Sequence, residues 1–172
     1  MEHQIKYGTI ELKSVKKNDH SFLMLNIFLL VILPLFTISG EVIFEHGSFD
    51  WALIGKWFIF SAVGIRLFAA GINQASNPRF TARIFQIKSQ ESLIVIKELG
   101  FANISMGIMG ILSVINNNWR PLAAIVGGLY LGFAGFQHLF KKPDSRNEVI
   151  AMLYDLCAFA VIALYLGFSL FL

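Results

Sequence analysis

The chain has 172 residues, 56% of them hydrophobic and only 15% charged, with 17 Phe and a mean hydropathy of +0.65, which excludes a water-soluble domain. A net charge of +3 would suggest nucleic acid in a soluble protein, but here the Lys and Arg residues flank apolar runs and report topology instead, so no nucleic-acid partner is expected. The single cysteine, Cys157, rules out an intrachain disulfide, and no CxxC or His/Cys cluster offers a metal site.

Residues 1–20 (MEHQIKYGTIELKSVKKNDH) are polar and lysine-bearing. They read as a cytoplasmic N-terminal segment ahead of one transmembrane bundle over 21–172. The FTISGE stretch after Pro34 is a weak cleavage site behind a long polar lead, so the first apolar run is expected to stay in the mature protein.

Apolar runs then follow at 22–40, 51–72, 92–115, 120–140 and 149–171, each long enough to span hydrocarbon. The expected fold is all-α, an integral membrane helical bundle of about five transmembrane helices. The first run carries Pro34, a kink that neighbouring helices tolerate. The second is interrupted by Lys56 and Arg66, the third by Lys97, Glu98 and Asn103; the fourth ends in Gln137 and His138, and the fifth carries Asp155. The long connection over 73–91 is expected to hold a short interfacial helix around Phe80 to Ile87.

Eleven Lys and Arg fall in the N-terminal segment and in the second-to-third and fourth-to-fifth connections with their flanks; the opposite connections hold Arg120 alone. The positive-inside rule then puts the N-terminus in the cytoplasm and Leu172 outside. Trp51, Trp57 and Trp119 fall near the opposite helix ends, where indoles favour the interface, and Glu41, Glu45 and Asp50 share that side.

Four ionisable residues, Arg66, Glu98, His138 and Asp155, sit inside four different runs. An ion in hydrocarbon is costly, so such residues face a bundle interior or a wet cavity and pair with one another. At 1.5 Å per residue, Arg66 lies roughly 22 Å and His138 roughly 27 Å from the outer starts of their helices, while Glu98 and Asp155 lie roughly 9 to 12 Å from the inner ends of theirs. All four share the inner half. Asn73 and Gln74 stand seven and eight residues from Arg66, on its face; Tyr130 with Gln137, and Asn147 with Asp155, follow the same spacing. Asn103 is turned about 140° from Glu98 and meets different neighbours.

Blander readings stand beside these. Arg66 either snorkels to the headgroups or pairs with Glu98 or Asp155; Glu98, beside Lys97, marks either a helix entry or the cavity; His138, ahead of Lys141 and Lys142, is either interfacial or part of the site. Asp155 has no basic neighbour in sequence and is the strongest candidate. Gly100, Gly107 and Gly110 in the third run, and Gly127, Gly128, Gly132 and Gly135 in the fourth, permit close helix approach.

The stretch Glu98-Leu-Gly-Phe-Ala-Asn103, with Gly107, Gly110, Trp119, the glycine-rich fourth run and Gly135-Phe-Gln-His138, resembles an uncharacterised bacterial family of small multi-pass inner-membrane proteins, distantly DoxX-like. The resemblance covers about residues 60–160. It implies a compact inner-membrane bundle and an association with quinone-linked sulfur or redox chemistry beside a partner protein, although no cysteine pair or catalytic motif of that group is present.

Two functional readings follow. In one, a cytoplasm-facing polar cavity built from Glu98, Asp155 and His138, with Arg66 as counter-ion, binds or transports protons or a small polar solute. In the other, the chain is a redox accessory subunit holding a quinone headgroup through His138, Asn103 or Gln137. A structural membrane protein without its own activity is the third possibility. Enzymatic activity, cofactor and substrate are not legible, and the glycine faces allow a monomer, a homodimer or a partner membrane protein.

Overall fold

The computed structural model describes residues 19–44, 48–84, 87–143 and 145–171. Five helices among them are long and apolar enough to cross a membrane: span 1, His20–Phe44; span 2, Trp51–Ser76; span 3, Ser92–Leu112; span 4, Asn117–Lys141; and span 5, Arg146–Ser169. No strand occurs among the described residues. The protein is an all-α bundle, as hydropathy alone predicts, and a multi-pass membrane protein. The N-terminal segment before Asp19, with Lys6, Lys13, Lys16 and Lys17, lies outside the described residues, as does Glu45.

Successive spans run antiparallel, so the bundle has two ends. At the basic end, Arg79, Arg83, Lys88, Lys97, Lys141 and Lys142 are all exposed. A helix over Pro78–Ile84 lies in the connection there, opened by Asn77, whose side-chain oxygen accepts from the Phe80 amide at 3.3 Å. It overlaps the short helix expected around Phe80 to Ile87, but starts at Pro78 and ends at Ile84, with Ile87 outside it; Phe85 and Gln86 lie outside the described residues.

At the opposite, tryptophan end, Trp51 stacks on Phe168 with centroids 4.6 Å apart. Span 2 starts at Asp50, whose carboxylate accepts from the Leu53 amide at 2.8 Å, filling the N-cap role of a short acid. Glu41 at the end of span 1 accepts from Lys56 Nζ at 2.6 Å and Trp57 Nε1 at 2.8 Å. That clamp ties the first two spans together and removes Lys56 from the account as a lone intramembrane charge.

Span 2 is the hub. It contacts every other span and buries Ile59, Ser61, Ala62, Val63, Leu67 and Gly71. Span 3 meets it backbone to backbone: a Cβ on Gly107 would stand 2.5 Å from the Phe68 nitrogen, and one on Gly110 2.5 Å from the Gly64 nitrogen. Glycine permits this approach, and packing contacts rather than hydrophobic exclusion hold helices together in lipid. In span 4, Gly128, Gly132 and Gly135 take Ile162, Phe159 and Leu156 of span 5, while Gly127 takes Val63 of span 2. Outward faces carry large apolar residues such as Phe36 and Phe133, 76% and 69% exposed, the reverse of a soluble surface.

Two of the spans widen into π-helix, over Phe28–Ile32 and Ile59–Ile65. In span 1 the Leu33 amide bonds the Phe28 carbonyl, five residues back, and the next residue, Pro34, has no N–H. The Leu29 carbonyl is thereby left without its usual donor. Ser61, in the second π-segment, donates its hydroxyl to that carbonyl across the helix interface. The kink expected at Pro34 is thus taken up by a π-turn and sealed by a neighbour's side chain.

Candidate functional site

Arg66 begins the α-helical turn that follows the π-segment of span 2, and its amide still reaches back to the Ser61 carbonyl. Its guanidinium Nη2 lies 2.9 Å from Asp155 Oδ1 on span 5, with the two side chains 16% and 6% exposed. The contact is an ion pair by distance, but no guanidinium N–H is aligned on that oxygen, which has no directed hydrogen bond. Arg66 also sits over the Tyr154 ring, 4.1 Å from its centroid, where the π-face supports a desolvated cation.

The amides form the second half of the cluster. Asn103 Nδ2 donates to Gln74 Oε1 at 2.7 Å, and Tyr130 of span 4 lies near the Asn103 side chain. Tyr130 lies within electrostatic reach of both Arg66 and Asp155. His138 of span 4 lies within the same reach of Asp155.

At 1.5 Å per residue, Arg66, Asn103, Tyr130 and Asp155 all stand about 13 to 17 Å from the basic end of their spans, close to mid-depth in helices that are about 32 to 39 Å long. Four spans thus contribute polar side chains to one level.

Asn103, Tyr154 and Asp155 are 2%, 2% and 4% exposed. They are packed into the bundle rather than lining the wet cavity expected from sequence. Within this packing the Asn103 Oδ1 and the Tyr154 hydroxyl have no hydrogen-bond partner, which is costly in an apolar interior.

The other candidates separate. Glu98 is exposed, and the structure does not bring it to Arg66. The buried face of span 3 is Ile96, Gly100, Asn103, Gly107 and Gly110, and residue 98 points about 160 to 200° away from Ile96 and Gly100. The Arg66 alternative therefore resolves to Asp155, and Glu98 stands on the outer face beside exposed Lys97. Asn73 and Gln137 are also exposed, while Gln74, His138 and Asn147 are half-buried.

Two participants were not among the sequence candidates, Tyr154 and Tyr130, and span 5 buries a further acid nearer the basic end, Glu148, which is 5% exposed. The signal for Tyr154 was its place beside Asp155. For Glu148 it was the seven-residue spacing to Asp155, which sets both on one face of span 5.

A separate apolar groove of about 130 Å³ opens between spans 4 and 5, lined by Ala124, Gly128, Leu129, Phe159, Ile162 and Leu166 among others. Phe159 is one helical turn beyond Asp155. The groove has almost no polar lining.

Among the described residues no group of three or more His, Cys, Asp or Glu could hold a metal. The chain matches no protein-family model, no curated protein and no solved structure. Fold and site together define a five-span helical membrane protein with a packed polar centre.

Proposed function

We propose that this protein binds a proton or a small polar solute at the Arg66–Asp155 pair, in a membrane where its basic end faces the cytoplasm. One observation carries the reading: at mid-depth, the Tyr154 hydroxyl, on the ring that Arg66 covers, and the Asn103 Oδ1, at the same level of span 3, have no hydrogen-bond partner. A cluster that served packing alone would gain by closing those bonds. Open acceptors next to a carboxylate and a guanidinium supply what a proton, or a solute with one donor and one acceptor, needs for orientation. Orientation follows from the exposed basic residues gathered at one end.

Infrared difference spectroscopy of the protein in lipid nanodiscs tests this. Acid titration is expected to raise a carboxylic-acid C=O band that reverses on return to neutral pH and is absent in Asp155→Asn. If Asp155→Asn folds normally and the wild-type protein shows no titratable band and retains no polar solute, the cluster is structural only.

A second reading is favoured by the apolar groove one turn beyond Asp155: a ligand with a polar head at the cluster and a hydrocarbon tail between spans 4 and 5. A quinone in an accessory redox subunit has that form, and the DoxX-like resemblance points the same way. Solvent extraction of the purified protein separates the two, since a stoichiometric isoprenoid quinone, lost when Gly128 is replaced by Leu, supports the second reading.

A further inference from the structure

We infer that Asp155 exchanges protons with water at the basic end only, through His138, with Glu148 at the mouth of the route. The inference rests on the reading of Asp155 as a proton-binding site and adds its sidedness and pathway.

The register of spans 4 and 5 places the three residues in order. Gly135 packs on Leu156, Gly132 on Phe159 and Gly128 on Ile162, so residue 138 stands opposite about residue 153. His138 is then about 3 Å in depth from Asp155 and about 7 to 8 Å from Glu148. Glu148 and Asp155 share a face of span 5, both buried, and His138 is half-buried within electrostatic reach of Asp155. Two acids with an imidazole at an intermediate depth form the side-chain series that proton relays in membranes use.

The other direction is closed. Between Asp155 and the tryptophan end, the core is Ile59, Ala62, Val63, Ala124, Ala158 and Ile162, all fully buried. Of the buried polar side chains there, Ser61 is committed to the Leu29 carbonyl and Ser113 to the Gly110 carbonyl, which leaves the Tyr165 hydroxyl on a ring set in the apolar core.

The charged and titratable groups around Asp155 are accounted for on each packed element. Span 2 supplies Arg66, span 4 supplies His138 and Tyr130, and span 5 itself supplies Tyr154 and Glu148. The described titratable side chains of span 1, His20 and Glu41, stand at its two ends.

Proton balance is simple. Glu148 takes a proton from water and gives it to the unprotonated ring nitrogen of His138. The imidazolium then releases the proton on its other nitrogen to the Asp155 carboxylate. Glu148 returns to its starting form, His138 is left as its other tautomer and resets by ring rotation before the next transfer, and the net change is one proton moved from hydronium at the basic end to Asp155.

Glu148 has a second role to be kept apart. Ser145 Oγ accepts from the Glu148 amide at 3.2 Å, and S-x-x-E is the capping-box spacing, in which Gln serves as well as Glu. Glu148→Gln therefore preserves the cap and removes only the titration.

The experiment uses the full chain in sealed vesicles with the basic end facing outward or inward, and follows the Asp155 infrared band after a rapid acid jump outside. The band is expected to rise fast only when the basic end faces the jump, and to slow at least tenfold in Glu148→Gln and His138→Ala, each rate taken relative to that variant's own final amplitude, since His138 lies within electrostatic reach of Asp155. Added imidazole is expected to restore the rate in His138→Ala, which separates proton transfer from packing. Wild-type rates in both variants, or equal rates from either side, overturn the route while leaving Asp155 a proton site. Absence of any Asp155 band overturns the underlying reading as well.

Discussion

Arg66 on span 2 stands 2.9 Å from Asp155 on span 5 while its guanidinium covers the Tyr154 ring, so one residue ties the hub helix to the last span by charge and by π-contact. Removing one partner of a buried ion pair strands the other. Asp155→Leu and Arg66→Leu are each expected to lose about 3 to 5 kcal/mol of stability, whereas the double variant is expected to lose less than the sum, with a coupling of about 0.5 to 3 kcal/mol. Denaturant titrations in mixed micelles measure all three.

Glycines of the hub interface differ from those on the surface. Gly107 faces the Phe68 backbone, whereas a Cβ on Gly167 would meet nothing within 4 Å. Gly107→Ala is expected to destabilise by about 1 to 3 kcal/mol, because backbone must shift, while Gly167→Ala is expected to be neutral or stabilising by up to about 1 kcal/mol through helix propensity. Thermal denaturation midpoints report the contrast.

Ser61→Ala is expected to cost about 1 to 3 kcal/mol, since the Leu29 carbonyl then lacks its donor. Pro34→Ala restores a backbone N–H five residues from Leu29. The loss from Ser61→Ala is therefore expected to be smaller in the Pro34→Ala background, a non-additivity that the same denaturant titration detects.

At the tryptophan end, Glu41 accepts from Lys56 and Trp57 together. Glu41→Ala is expected to shift Trp57 emission and to lower stability by about 1 to 3 kcal/mol. Lys56→Met leaves the indole bond in place but removes the ammonium 4.8 Å from the Trp57 ring centroid, and is expected to shift the emission less than Glu41→Ala does. Fluorescence on a variant carrying Trp57 as its only tryptophan decides between them.

Span number, the short helix after Asn77 and the glycine-mediated approach of spans 3 and 4 were legible in the sequence, because hydropathy over some 20 residues and small-residue spacing are local signals. Arg66 and Asp155 were legible as buried ions for the same reason. Their pairing was not: Glu98 and Asp155 lie at similar depths, and depth alone does not say which way a side chain faces. Rotation decides it, and the buried glycines of span 3 turn Asn103 inward and Glu98 outward. The Glu41–Lys56–Trp57 clamp and the Ser61–Leu29 bond arise from contacts between helices, which periodicity within one helix does not encode. The depth of burial was not legible either: Tyr154 and Asp155 are 2% and 4% exposed, which follows from how neighbouring spans pack and not from the sequence of one span.

An experimental density map of the protein in lipid tests the central claim most directly. The account predicts an ordered water or small polar solute within hydrogen-bonding distance of the Asn103 Oδ1 or the Tyr154 hydroxyl, with Arg66 and Asp155 still paired. A map in which both atoms bond to protein groups and Arg66 turns to the headgroups, away from Asp155, would contradict it.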